Sequence, residues 1–308
     1  MHTDDRRENM KQEKKKQNPL KKAQNRWGVA FAFPQMISLF FLGILPVFIA
    51  FGLSMFDWNG FRAPIFVGLQ NFKDVFAAND TAIALKNTFV YTIVYVPCNI
   101  VLSLLLAILL NKAAGKLVYR AIFFLPQIVT SVAVAVVWSW IYQPEYGILN
   151  MILRFFGKEG IGWLRQTNTA MGSVIAMSVW WGLGYNTVLF LASLQNVSRS
   201  YVEAAMIDGA TSWDVFLHIT LPMISPTTLL VTITSLINSF QVFDQCYLLT
   251  KGGPAKRTYT MAVYIYDVAF KQFKLGKASA ISLIMFVIIV VVSIIQFKLS
   301  NKWVNYDA

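Results

Sequence analysis

The chain has 308 residues, 56% of them hydrophobic and 14% charged, with a net charge of +12. Soluble domains run at about 45–50% apolar and roughly 25% charged residues, so this composition excludes an ordinary soluble enzyme. At roughly 20 residues per span, the length holds about six spans and leaves no room for a further large soluble domain. Cys98 and Cys246 lie in or beside apolar runs, which argues against a disulfide framework or a zinc site.

Residues 1–27 carry nine Lys/Arg against four Asp/Glu, a local charge of +5. No aromatic residues are interleaved with them as nucleic-acid stacking requires, so the tail reads as a disordered, basic cytoplasmic anchor facing anionic membrane lipid. Six apolar stretches follow, at 28–54, 87–111, 117–142, 170–195, 220–243 and 278–299. The first is too long for a cleaved signal peptide and lacks a small-x-small site, so it is read as a retained span. Backbone polar groups in hydrocarbon must be paired internally, so each stretch is predicted as a helix. Pro34, Pro46, Pro97, Pro126, Pro222 and Pro226 fall within or at the ends of these helices. The Lys/Arg distribution, weighted by the tail, places both termini in the cytoplasm. A short cytoplasmic C-terminus, 300–308, ends the chain.

Between the fourth and fifth spans lies a polar island, "EAAMIDGATSWDVF" (203–216), within a connecting segment 196–219. Ser200 followed by Glu203 has capping-box spacing, predicting a helix from about 201. Gly209 supplies a left-handed stop. Thr211 followed by Asp214 starts a second helix running toward Pro222. Ala204, Ala205 and Ala210 keep the surface low for close approach by another protein, and Asp208 opposes the macrodipole at the end of its helix. The plainer alternative is that Glu203 only caps its own helix in an ordinary loop.

Read as a whole, "EAAMIDGATSWDVFLHITLPMISP" resembles the EAA loop of permease subunits in binding-protein-dependent ABC importers. The pattern falls on Glu203, Ala204, Ala205, Asp208, Gly209, Ala210, Phe216, Leu221, Pro222 and Pro226. Further similar stretches are "NTFVYTIVYVPCNIVLSLLLAILLN" (87–111), "YRAIFFLP" (119–126), "GILN" (147–150) and "LLTKGGP" (248–254). The last is similar to the carbohydrate branch, the first permeases of maltose, glycerol-3-phosphate and multiple-sugar importers.

The resemblance implies an all-α membrane protein of the type I ABC importer permease fold, with six spans in a domain at 28–299 and the island as a cytoplasmic coupling helix. It implies a second homologous permease, two ABC ATPase subunits and an extracellular or periplasmic sugar-binding protein as partners, in a bacterial or archaeal cytoplasmic membrane. Glu203, Ala204, Ala205, Asp208, Gly209 and Ala210 are then the ATPase contact. The chain carries no G-x-x-x-x-G-K-[ST] phosphate loop, so ATP and magnesium are expected on the partner ATPases and no cofactor on this chain.

Polar side chains within spans face a cavity or another helix. Ser235, Asn238, Ser239 and Val242 fall on one helical face, with Gln241 beside them. In the fourth span "WWGLGYN" sets Trp180, Trp181, Tyr185 and Asn186 at mid-bilayer depth, where the usual interfacial role of tryptophan does not apply. Amides, hydroxyls and aromatic faces suit a neutral sugar, so these eight residues other than Val242 are the candidate solute pathway. The same residue types also glue spanning helices together. Arg120, Asp244 and Asp267 fall at predicted membrane edges. A self-sufficient secondary transporter is the rival reading, but its coupling carboxylates are almost absent from the spans. An ABC permease for a non-sugar solute is another alternative. An intramembrane enzyme lacks any paired His/Asp, G-x-S-x-G or H-E-x-x-H arrangement.

Overall fold

The computed structural model describes residues 19–112 and 116–305. The first part of the expected tail, the end of the C-terminus and the Arg120 side chain lie outside the described residues. Two compact units divide the chain, one ending at Leu53 and one beginning at Ser54.

The first unit is helix α1, running as Pro19–Ser38, a π-helical turn Leu39–Ile44 and Leu45–Leu53. Residues 19–27, expected as disordered tail, are therefore helical. Pro19 opens that helix at a position where its missing N–H costs nothing.

The second unit is helical apart from a two-strand ribbon, β1 (Phe56–Asp57) against β2 (Ile65–Phe66). Its helices are α2 (Gln70–Ala77), α3 (Asn79–Lys112), α4 (Lys116–Ile128), α5 (Ser131–Ile141), α6 (Ile148–Phe155) and α7 (Ala170–Asn196). Then come α8 (Arg199–Ile207), α9 (Ser212–Met223, with a π-helical turn Phe216–Thr220), α10 (Ser225–Phe240) and α11 (Asp244–Thr250). The last are α12 (Met261–Tyr266), which continues as a π-helical turn Asp267–Lys271, and α13 (Leu275–Ser300).

Among the described residues, four helices are long and apolar enough to cross a membrane, rising to six if each of two bent pairs counts as one span. The bends fall beside prolines within the predicted helices, Pro126 in one pair and Pro222 and Pro226 in the other. The third stretch, 117–142, breaks between α4 and α5 at an angle of 105°. Pro126 removes a backbone donor near the end of α4, and Thr130 N-caps α5 by accepting from the Ala133 N–H at 3.4 Å. The Pro126 carbonyl accepts from the Val129 N–H at 3.3 Å and from Trp181 Nε1 at 2.8 Å. The fifth stretch begins earlier than expected, at Ser212, and bends by 66° at Ile224 between α9 and α10. Ser225 pins this elbow: its hydroxyl donates to the Pro222 carbonyl at 2.6 Å and accepts from the Asn305 N–H at 2.9 Å. The C-terminal turn is thereby tied to the elbow.

Helix α7 packs most extensively on α3, and α10 packs on α3 as well. The contact is apolar at one end, where Ala107, Leu110, Phe190, Leu191, Leu194, Ile224 and Val231 cluster. A larger core, including Val75, Tyr91, Val174, Val263 and Ile281, joins α2, α3, α7, α12 and α13 at the other. Large apolar side chains such as Phe286, Val287, Val291, Ile294 and Ile295 remain exposed along α13. Such a contiguous apolar exterior is tolerated by lipid or a partner helix and not by water.

Gly184 on α7 allows α4 to approach. A Cβ there would sit 2.2 Å from the Phe123 carbonyl oxygen, and relieving such overpacking costs about 1–3 kcal/mol. Gly184→Ala is expected to lower the thermal unfolding midpoint of the detergent-solubilised chain. Gly172→Ala, where a Cβ meets nothing within 4 Å, is expected to leave it unchanged or raised.

Candidate functional site

Two features stand out, an exposed knuckle between α7 and α10 and a cavity between the helices. The knuckle is α8, a turn, and α9. Ser198 is the N-cap of α8, and the Ser200/Glu203 capping box is not formed. The Ser200 hydroxyl instead pairs with that of Ser198 at 2.7 Å. The helix starts two residues earlier than the expected box requires, so Ser200 is already inside it.

The stop is a Schellman motif. Asp208 is the C-cap, Gly209 follows at φ +86°, and the Ala210 and Gly209 N–H groups bond the carbonyls of Ala205 and Met206 at 2.9 and 3.1 Å. The second start forms as expected. The Asp214 N–H donates to Thr211 Oγ1 at 3.2 Å while the Thr211 N–H donates to Asp214 Oδ2 at 3.0 Å. Both ends of the turn are thus locked by hydrogen bonds, giving a short lever with fixed geometry.

Glu203, Ala204, Asp208 and Gly209 are exposed, and Ala205 and Ala210 half-buried. Beside them project four large apolar side chains that sequence reasoning passed over: Tyr201, Met206, Ile207 and Trp213, with Ile207 86% exposed. The signal was present in the sequence, since Met206 and Ile207 interrupt the polar island. Trp213 stacks on Phe216 with ring centroids 5.6 Å apart.

The cavity has a volume of about 390 Å³ and is lined by Tyr91, Tyr95, Gln127, Ser178, Trp181, Gly182, Asn238, Gln241, Val242, Phe243, Asp244 and Gln245. Of the eight expected pathway residues, it brings together Trp181, Asn238 and Gln241. Asn186, Ser235 and Ser239 are buried elsewhere. The Asn186 amide donates to Asn99 Oδ1 and to Ser235 Oγ at 3.2 Å, and the Ser239 hydroxyl donates to Thr92 Oγ1 at 3.0 Å. These three act as interhelical glue. The Ser235 and Ser239 face of α10 is turned onto α7 and α3, where pairing removes the cost of unpaired polar groups in hydrocarbon. Trp180 sits edge-on to Trp138 at 5.5 Å, and both Trp180 and Tyr185 point to an exposed surface away from the cavity lining.

The residues that sequence reasoning missed are Tyr91, Tyr95 and Gln127. The two tyrosines, four apart on α3, stack at 5.3 Å. Gly182 makes room for them, because a Cβ there would lie 2.7 Å from the Tyr95 hydroxyl. Gln127 Oε1 is buried and finds no hydrogen-bond partner among the described residues. It is an acceptor awaiting a donor in the cavity wall. Asp244 accepts from the Ser131 hydroxyl, tying α11 to α5.

Residues 99–305 match the family described as the binding-protein-dependent transport system inner membrane component. The chain belongs to this family. Over 300 residues it is 36% identical to the probable ABC transporter permease protein YesP of Bacillus subtilis (strain 168), covering 96% of each chain. It is 34% identical over 276 residues to the lactose transport system permease protein LacF of Rhizobium radiobacter, covering 87% of this chain and 91% of that one. Its fold is similar to a chain of a bacterial alginate ABC transporter solved in complex with an alginate pentasaccharide-bound periplasmic protein. The TM-score is 0.79, at 22% identity, covering 92% of this chain and 96% of that one.

The two capping motifs differ in whether a side chain closes them. Thr211→Ala removes a formed cap and is expected to cost about 1 kcal/mol locally, read as faster amide hydrogen exchange at residues 212–216. Ser200→Ala removes no N-cap bond and is expected to leave exchange in α8 unchanged.

Proposed function

We propose that this chain forms half of the transmembrane pathway of an ATP-driven importer for a carbohydrate. The six spans are α1, α3, the bent pair α4–α5, α7, the bent pair α9–α10, and α13, with both termini in the cytoplasm. A second, homologous permease completes the pathway. A solute-binding protein delivers sugar from outside, and two ABC ATPase subunits, holding ATP and magnesium, dock from the cytoplasm. This chain performs no catalysis.

The observation that carries the reading is the knuckle. Its four exposed apolar side chains lie within the Glu203–Ala210 segment (Met206 and Ile207) and on either side of it (Tyr201 and Trp213), and its turn is locked at both ends. An apolar patch of this kind on a polar loop marks a protein contact. Glu203 and Asp208 supply charge at its rim, and the alanines allow close approach. The lever leads directly into the cavity. From Ser212 the chain runs through the Ser225-pinned elbow to Asn238, leaving helix only at Ile224, and Gln241 is the C-cap at the end of α10. Closing of the motor subunits displaces α8 and α9, and the displacement reaches the cavity lining through α10.

The cavity chemistry suits a sugar. Tyr95, backed by the buried Tyr91, and Trp181 offer aromatic surface to C–H groups, while Gln127, Asn238 and Gln241 offer amides to hydroxyls. The lactose function of one relative, and the alginate function of a protein of the same fold, fall in the same substrate class. The near absence of acidic side chains from the lining, with Asp244 engaged by Ser131, leaves no evident ion-coupling site for a secondary transporter.

The test is coupling. In the complex purified with its neighbours, Glu203→Lys and Gly209→Pro are expected to abolish stimulation of ATP hydrolysis by sugar-loaded binding protein while the spans stay folded by circular dichroism. A cross-linker placed at Ile207→Cys, with Cys98 and Cys246 replaced by serine, is expected to capture a nucleotide-binding subunit in native membranes. Wild-type coupling in both knuckle variants, with no captured ATPase, refutes the assignment.

A further inference from the structure

Three aromatic rings continue the cavity wall past Phe243. Phe243, which lines the cavity, stacks on Tyr247 of α11 with centroids 5.1 Å apart and planes 14° from parallel. Both rings meet Tyr266 of α12, at 5.1 and 4.9 Å. Tyr266 in turn meets Phe270 at 5.3 Å. Phe270 lies on the π-helical turn Asp267–Lys271 and is 63% exposed.

The ring series has a polar rim. Lys271 Nζ lies 5.1 Å from the Tyr247 ring centroid and 5.8 Å from that of Tyr266. It also pairs with Asp267 at 2.6 Å. The hydrogen bond to Asp267 holds the Lys271 ammonium above the ordinary lysine range, so it stays charged. Single-turn π-helices of this kind occur often at functional sites. A packed core explains Phe243 and Tyr247, which adjoin buried residues. It does not explain the open Phe270 end or an ion pair laid against two tyrosine rings.

We propose that Tyr247, Tyr266 and Phe270, rimmed by Lys271 and Asp267, form an external carbohydrate-binding shelf that holds a sugar before it enters the cavity. The inference rests on the carbohydrate reading above and extends it to a second site. Aromatic faces take the C–H side of a pyranose, and the ammonium and carboxylate take its hydroxyls. The continuous contact from Phe270 to Phe243 gives the sugar a path of similar surfaces into the cavity. A longer oligosaccharide spans shelf and cavity together, so the shelf favours chains over monosaccharides.

The test uses the complete importer in nanodiscs and proteoliposomes, with lactose, maltotetraose and an alginate pentasaccharide as probes. For whichever probe the wild type imports, Phe270→Ala and Tyr266→Ala are expected to raise the uptake KM by about tenfold, the loss of one or two aromatic contacts, with the maximal rate changing less. Phe270→Trp is expected to restore it. Saturation-transfer NMR on the nanodisc complex is expected to show sugar C–H contacts that persist in Asn238→Ala and weaken in the Phe270→Ala, Tyr266→Ala double variant. Unchanged KM and unchanged transfer in that double variant overturn the shelf and leave these rings as an interfacial aromatic belt. If the wild type imports no probe and its ATPase ignores the loaded binding protein, the carbohydrate reading falls, and the shelf falls with it.

Discussion

The buried amide of Asn186 holds the architecture together. It donates to Asn99 on α3 and to Ser235 on α10, so one side chain ties three helices at a common level. Asn99 also donates to the Val179 carbonyl at 3.3 Å, and Thr187 to the Ser103 carbonyl at 3.4 Å. In hydrocarbon, apolar burial gives helices little reason to associate, and packing with interhelical hydrogen bonds takes over. The long contact between α3 and α7 rests on this seam, with small residues such as Gly182 and Gly184 permitting close approach on either side. The cavity exists because the seam turns Ser235 and Ser239 inward and leaves Asn238 and Gln241 facing open space.

A second constraint follows from the same physics. A helix in a membrane breaks only where its freed backbone groups are satisfied. At the first break the Pro126 carbonyl accepts from both the Val129 N–H and the indole of Trp181. At Ile224 the hydroxyl of Ser225 donates to the Pro222 carbonyl and itself accepts from the Asn305 N–H. Both breaks border the functional features. The first places Gln127 in the cavity wall, and the second joins the knuckle to the helix that carries Asn238.

Much of the knuckle was legible in the sequence because capping is a local phenomenon. Thr211 with Asp214 and the left-handed Gly209 act over three to five residues, and the structure forms both. The Ser200/Glu203 box failed for an equally local reason. Ser198 stands two residues earlier and takes the N-cap, and spacing alone does not choose between two serines. The apolar stretches also marked the helices, though the hydropathy signal ran continuously through the bends at 129–130 and at Ile224.

The cavity was only partly legible. Periodicity placed Ser235, Asn238 and Ser239 on one face, yet a face some 100° wide includes both residues that bond a neighbour and residues that look into space. Tyr91, Tyr95 and Gln127 come from helices far away in the chain and entered no local pattern. The sequence by itself determined the membrane habit, the helices and the shape of the knuckle, since these follow from composition and from contacts between near neighbours. Which polar side chains are spent on joining helices, and which are left free to meet a solute, was decided only by the tertiary structure. That division depends on the distances between helices that are remote in sequence.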